Sequence, residues 1–150
     1  MKLIKRTKET LAYELSESEA LALALVLRRF PILPEDYFTL SRTADNQFSD
    51  EDKALVHSEL IERRGFLLRK MGELRNRLEN ETFSSRLELQ FAEREMLLQV
   101  LNDVRVGCWV ALGRPESMDK VNTEADRAMA DYRYMMDLSG FFQMALLESL

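Results

Sequence analysis

The sequence predicts a mainly α-helical fold, a bundle of about four principal helices with a small β element at its N-terminus. Long segments repeat apolar residues every three or four positions, and most begin at a recognisable capping residue. Alternation of apolar and polar residues, which is typical of strands, is confined to short stretches. With 150 residues, 46% of them apolar, the chain is predicted to form a single domain over residues 1–150.

The N-terminal segment is predicted to form two short strands followed by the first helix. Residues 3–15 alternate in two short stretches, which favours a hairpin. Ser16 and Glu19 have the spacing of a capping box, in which each side chain bonds the other residue's backbone N–H. The first helix therefore runs from this box to about Phe30, where two nearby prolines end it.

A long second helix follows a loop over residues 35–46. Ser49 and the three acidic residues after it form a strong helix N-terminus. One stripe of this helix is apolar and must be covered by other elements; it contains Leu60, Leu67, Met71, Leu74 and Leu78. We expect the four helices to pack around the first and third of them.

The third helix, from about Phe91 to Leu112, follows a short alternating stretch at residues 86–90 that predicts a strand. An internal echo links this region to the N-terminus. Glu14, Leu15, Glu19, Leu23, Val26 and Leu27 recur 74 positions later as Glu88, Leu89, Glu93, Leu97, Val100 and Leu101. The echo indicates either two strand-then-helix units or a chance recurrence in leucine-rich sequence.

The fourth helix begins at Thr123 and Asp126 and runs nearly to Leu150. Its second half carries a single charge, Asp137, so this part belongs either in the core or at an interface. The candidate partner interface is Phe141, Phe142, Met144 and Leu147. Such a surface suits a protein partner or self-association as a homodimer, and the alternative is that these side chains close the core.

Composition and charge exclude several partners. A net charge of −5 repels phosphate backbones, so nucleic acid is not expected as a partner. The longest uncharged apolar run, residues 20–27, is far shorter than the roughly 20 residues of a membrane span, and no membrane association is expected. The basic start lacks the apolar core of a signal peptide, and the single Cys108 favours a cytoplasmic protein with a buried, unreactive thiol.

The sequence contains no recognisable catalytic, metal or cofactor site. His57 is the only histidine, no Glu-x-x-His pair occurs, and no glycine-rich phosphate loop or nucleophile motif is present. We therefore predict no enzyme activity, no cofactor, no metal and no catalytic residue. The second helix carries a locally basic set, Arg63, Arg64, Arg69, Lys70, Arg75 and Arg77, which is either a charged docking face or an ordinary solvated flank.

The third helix has an unusual polar insertion in an apolar run. At 100° per residue, Asp103 and Arg105 point about 200° apart, so each must face a different neighbour. Asn102, Arg105 and Trp109 share one face, where Arg105 is expected to stack on Trp109. If Arg105 is buried it needs a carboxylate, for which Asp137 is the candidate. These residues form either a structural polar network or a ligand pocket for a carboxylate or phosphate.

The polar insertion also carries a family resemblance. Residues 101–106 read Leu-Asn-Asp-Val-Arg-Val, and the last helix has Asp137, Gly140 and Gln143 at matching positions. With these motifs, residues 86–150 resemble an uncharacterised family of bacterial domains of unknown function, mainly actinobacterial and often encoded near the adaptor of the Clp protease. The chain departs from the family at Trp109 and Ala111, where the family has Gly and Arg.

The resemblance implies a regulatory or adaptor-like role around proteolysis, and it supplies no activity, cofactor or catalytic residue. Together with the composition, it predicts a non-catalytic interaction or regulatory protein. The alternative is a small-ligand-binding helical domain with a pocket centred on Arg105.

Overall fold

The structure, a computed structural model, describes residues 1–34, 49–80, 82–122, 124 and 126–148. Its elements are β1 (Lys2–Arg6), β2 (Thr10–Glu14), α1 (Glu17–Arg29), α2 (Asp50–Glu79), β3 (Arg86–Gln90), α3 (Phe91–Ala111) and α4 (Arg127–Leu147), with a 3₁₀ turn at Met118–Lys120. The predicted loop over residues 35–46 and the expected role of Thr123 lie outside the described residues. The mainly helical class with a small sheet is confirmed, and the bundle arrangement of the helices stays a prediction.

The three strands form one antiparallel sheet in the order β1-β2-β3. The predicted hairpin is β1 and β2, whose register shifts between Leu3 and Lys5. The strand predicted at residues 86–90 pairs with β2 in unbroken register from Thr10 opposite Gln90 to Glu14 opposite Arg86. The central strand β2 is therefore the one that joins the N-terminal hairpin to the second half of the chain.

Local side-chain caps fix where the helices begin. The Ser16 hydroxyl accepts from the Glu19 N–H, and the Glu19 carboxylate accepts from the Ser16 N–H at 2.8 Å, so the predicted capping box is confirmed. Ser49 caps α2 by accepting from the Asp52 N–H, and the Asp126 carboxylate caps α4 in the same way. These contacts satisfy first-turn N–H groups that have no partner within their own helix.

The echo of 74 positions relates two segments with the same order of elements, β2 followed by α1 and β3 followed by α3. The offset relates Tyr13 to Leu87, and these two residues face each other directly in the β2–β3 ladder. The cap is repeated as well, because the Glu93 carboxylate accepts from the Gln90 N–H at 2.8 Å. The order of elements is therefore consistent with two strand-then-helix units, and a structural repeat of these units stays a prediction.

The third helix, α3, lies at the centre of the core. Five of its side chains are almost completely buried: Leu97, Val100, Leu101, Val104 and Cys108. Its most extensive helix contact is with α4, and α1 packs mainly on α2. Burial raises the pKa of the Cys108 thiol to about 11, so at neutral pH the thiol is protonated and serves as a small apolar group.

Candidate functional site

The polar insertion of α3 places Asp103 and Arg105 against different parts of the chain. The Asp103 carboxylate accepts from the Ile32 N–H at 3.0 Å, in the segment that follows α1. Arg105 is exposed and donates to the Gln143 side-chain oxygen on α4 at 3.2 Å. Asp103 thus fixes the end of α1 on α3, whereas Arg105 makes a surface contact between α3 and α4.

The surroundings expected for Arg105 are wrong in two respects. Arg105 is not buried, and within the described chain it forms no ion pair with Asp137, which is also exposed. Trp109 donates its indole N–H to the Pro115 carbonyl at 3.1 Å, and no cation–π contact between Arg105 and Trp109 is found among the described residues. Since the face of α3 that carries Arg105 reaches the surface, water solvates the guanidinium and no buried partner is needed.

A shallow depression of about 340 Å³ lies beside Arg105. Asn102, Arg105 and Trp109 form its α3 wall, with Met118 and Met136 opposite. The three residues that were predicted to share a face therefore line one cavity, which is broadly open to solvent. We call this depression the Arg105 cavity.

Asp103 belongs to a small cluster that holds the chain segment after α1. Its carboxylate bonds the backbone N–H groups of Ile32 and Leu33, and Arg64 of α2 donates to the Leu33 carbonyl at 2.8 Å. Gly107, one turn after Asp103, lies directly against Ile32: a Cβ at Gly107 would stand 2.6 Å from an Ile32 methyl carbon. This segment is therefore clamped between α2 and α3.

Burial raises the pKa of the Asp103 carboxyl, and the two backbone N–H groups and nearby Arg64 offset only part of that effect. The folded chain thus holds this proton more tightly than the unfolded chain does. Its stabilising contribution is fully present below the ordinary aspartate pKa of ~4 and is lost as the pH rises through the folded-state pKa.

We predict that the stability advantage of wild type over Asp103→Asn decreases as the pH rises from about 3 to about 7. All other carboxyl groups titrate in both proteins, so the difference isolates Asp103. The measurement is the free energy of unfolding in urea across this pH range. A difference that grows with pH would show that hydrogen bonding to the charged form outweighs its desolvation.

A cleft of about 250 Å³ opens between α2 and α3 next to this cluster, and we call it the α2–α3 cleft. Its walls are mostly apolar and come from Phe30, Leu60, Ile61 and Leu67. Its polar groups are Arg63, Arg64, Gln99, Asn102 and Asp103. The Arg63 guanidinium donates to the Gln99 side-chain oxygen at 3.0 Å across the cleft. Asn102 lines both this cleft and the Arg105 cavity.

The remaining basic residues of α2 are used within the chain. Lys70 and Arg75 form ion pairs with Glu73 and Glu79 on the same helix. Arg77 pairs with Glu93 at 3.0 Å and also donates to the Glu88 carbonyl of β3. The structure therefore divides the basic set of α2. Arg63 and Arg64 face the α2–α3 cleft, Lys70, Arg75 and Arg77 support α2 and its contacts, and Arg69 lies over the Phe66 ring.

Arg94 is a buried side chain that links α3 to α4, and the sequence analysis did not single it out. It is 3% exposed and donates from Nε and Nη2 to the Leu146 carbonyl, at 3.2 and 2.8 Å, and from Nη1 to Glu95. The Leu146 carbonyl lies in the last turn of α4. The 74-residue echo supplies the missing signal, because the offset places Arg94 at the position of Ala20, which is buried in α1.

The fourth helix has two distinct faces. Met135, Ser139, Phe142 and Leu146 form its buried stripe, so Phe142, at 1% exposure, belongs to the core and is removed from the predicted partner interface. The opposite stripe is exposed and consists of Tyr134, Asp137, Phe141, Met144 and Glu148, which we call the outer α4 face. Leu147 is exposed beside it. Three of the four predicted interface residues are therefore on the surface.

The described part of the chain contains no cluster of metal-ligating side chains. His57 is half-buried in the first half of α2. Within residues 1–34, 49–80, 82–122, 124 and 126–148, no three His, Cys, Asp or Glu side chains come together as a metal ion would require. None of the helices found in these ranges combines the length and apolar character needed to cross a bilayer.

Comparisons with known protein families, with curated proteins and with solved structures found no match to this chain.

Proposed function

We propose that this protein is a non-catalytic interaction or regulatory protein whose outer α4 face binds a segment of a partner protein. The observation that carries the proposal is the exposure of Tyr134, Phe141 and Met144 along one stripe of α4, with Leu147 beside them. The opposite stripe already packs on α3, so the exposed side chains are not needed to close the core. Contiguous apolar patches of this kind mark protein interaction sites.

The charges on this face specify the chemistry of the partner. From Tyr134 to Glu148 the helix contains two charged residues, Asp137 and Glu148, and both are acidic. An amphipathic segment with apolar anchors and a basic side chain would fit this face, because its cation would meet Asp137 between Tyr134 and Phe141. The outer α4 face is therefore proposed to bind a basic amphipathic segment.

A second copy of the chain fits the same face less well. Each of the four apolar side chains has about 100 Å² to bury, so the contact would cover about 400 Å² per copy, half of the ~800 Å² per partner of a standard interface. A symmetric contact would also bring two copies of Asp137 towards each other. The homodimer proposal is accordingly the weaker one.

The test is affinity capture from native lysate with wild type, Met144→Asp and Leu55→Asp as baits. Met144 and Leu55 are matched controls, since they are 62% and 61% exposed and lie on α4 and α2. We expect Met144→Asp to bind the captured partner about thirtyfold more weakly, as for a hot-spot residue, and Leu55→Asp to bind it like wild type.

Two outcomes would contradict this proposal. The partner could bind all three baits equally, or it could be lost equally from both variants. Either result would show that the partner does not bind specifically through the outer α4 face. If wild type elutes as a dimer while Met144→Asp elutes as a monomer, the outer α4 face binds a second copy of the chain.

Capture of a Clp protease component by wild type and not by Met144→Asp would support the adaptor-like role that the family resemblance implies.

A second candidate function, binding of a small ligand, is favoured by one observation. Asn102, Arg105 and Trp109 line the Arg105 cavity, which combines a cation, an amide and an aromatic ring. Such a set suits a carboxylate or phosphate. The cavity is open and its cation already contacts Gln143, so we rank this function below partner binding.

A further inference from the structure

We propose that the α2–α3 cleft is a binding site for a small organic carboxylate with an apolar body. The carboxylate would lie between Arg63 and Arg64, and the apolar body would lie against Phe30, Leu60 and Leu67. The site lies between α2 and α3, away from the outer α4 face, and of its lining residues only Asn102 also lines the Arg105 cavity.

Neither of the two arginines is held in an ion pair within the described part of the chain. Arg63 donates to the amide oxygen of Gln99, and Arg64 donates to the backbone carbonyl of Leu33, both of which are neutral groups. Among residues 1–34, 49–80, 82–122, 124 and 126–148, neither arginine has a carboxylate within 4.0 Å. Each guanidinium has five N–H donors in a planar fork, so most of its donors remain for a bidentate carboxylate.

Asp103 is the one acidic group among the described residues that line the cleft. Its carboxylate already accepts from the Ile32 N–H. Two guanidinium groups against one carboxyl group leave the cleft positive at neutral pH whether or not Asp103 is ionised. The site therefore attracts a negatively charged ligand.

The apolar walls and the volume define the rest of the ligand. Phe30 and Leu67 are buried at the base of the cleft, and Leu60 and Ile61 form its side on α2. A volume of about 250 Å³ is just below the ~300 Å³ at which typical ligand pockets begin. The occupant is therefore a fragment-sized acid with an aromatic ring or a short aliphatic chain.

The test is a titration of isotope-labelled protein followed by amide proton–nitrogen correlation spectra. The probes are phenylacetate, phenylpropionate and hexanoate, each compared with its neutral amide, at concentrations up to ~10 mM, above the millimolar affinity of a fragment-sized ligand. We expect an acid to shift the resonances of Ile61 and Gln99 and leave those of Val106 and Trp109 unchanged, while its amide shifts neither set.

Three variants test which side chains bind the carboxylate of the acid. Arg63→Gln and Arg64→Gln are expected to weaken binding of the acid about tenfold, since each removes a charge-assisted bidentate partner. Arg69→Gln is the matched control, because Arg69 is an exposed arginine of the same helix that contacts Phe66 and does not line the cleft. Arg63 is exposed as well, so its variant is expected to keep the fold.

The proposal is overturned if none of the acids shifts the cleft resonances, if an amide binds as well as its acid, or if Arg69→Gln weakens binding as much as Arg63→Gln. Binding of an acid at Val106 and Trp109 instead would move the ligand to the Arg105 cavity and would also overturn it.

Discussion

Replacing Arg94 with alanine is expected to lower the free energy of unfolding by about 3 kcal/mol. The substitution removes a buried side chain together with the two N–H groups that it donates to the Leu146 carbonyl. It also frees the last turn of α4 from α3, and that turn carries Met144 and Leu147. The expected result is thus a less stable domain with a frayed outer α4 face.

Equilibrium unfolding in urea measures the effect, and two variants separate its causes. Arg94→Met keeps most of the apolar volume and is expected to lose about 2 kcal/mol, the part due to hydrogen bonding. Arg86→Ala removes an exposed arginine whose surface ion pair with Glu88 is worth at most about 1 kcal/mol. If Arg94→Ala costs no more than Arg86→Ala, Arg94 does not anchor α4.

Replacing Gly107 with alanine is expected to lower the free energy of unfolding by about 2 kcal/mol, although alanine is the better helix former by about 1 kcal/mol. The new Cβ would lie 2.6 and 2.7 Å from two Ile32 carbon atoms and 3.3 Å from the Leu33 nitrogen. The Ile32 segment cannot move away easily, because Asp103 and Arg64 hold its backbone.

Gly72→Ala is the matched control for this prediction. Gly72 lies inside α2, and a Cβ there would meet nothing within 4 Å, so the same substitution is expected to stabilise the domain by about 1 kcal/mol. Ile32→Ala should recover part of the loss in the Gly107→Ala background, because it removes one of the two clashing carbons. Equal effects at Gly107 and Gly72 would refute the close approach of α3 to Ile32.

The features that were predictable from the sequence are those set by neighbouring residues. The capping box of Ser16 and Glu19 depends on a spacing of three, and the separation of Asp103 from Arg105 depends on helix geometry alone. In each case the relevant distance is fixed by local chain geometry.

The features that were missed depend on contacts between distant segments. Arg94 looks like one half of a solvated pair with Glu95, and its burial follows from a carbonyl 52 residues away. Phe141 and Phe142 cannot be told apart by composition, and only the packing of α4 on α3 makes one exposed and the other buried. The α2–α3 cleft was missed for the same reason, because its walls come from separate helices, whereas the Arg105 cavity has Asn102, Arg105 and Trp109 on its wall as the alternative of an Arg105-centred pocket required.

The proposal that the outer α4 face binds a partner is tested most directly by one comparison. It is the affinity of the captured partner for Met144→Asp relative to its affinity for Leu55→Asp, measured with purified proteins. Both substitutions place a carboxylate at an equally exposed apolar position, so general effects on stability and charge cancel in the ratio. If the outer α4 face is the docking site, Met144→Asp binds about thirtyfold more weakly than Leu55→Asp. Equal affinities for the two variants would contradict it.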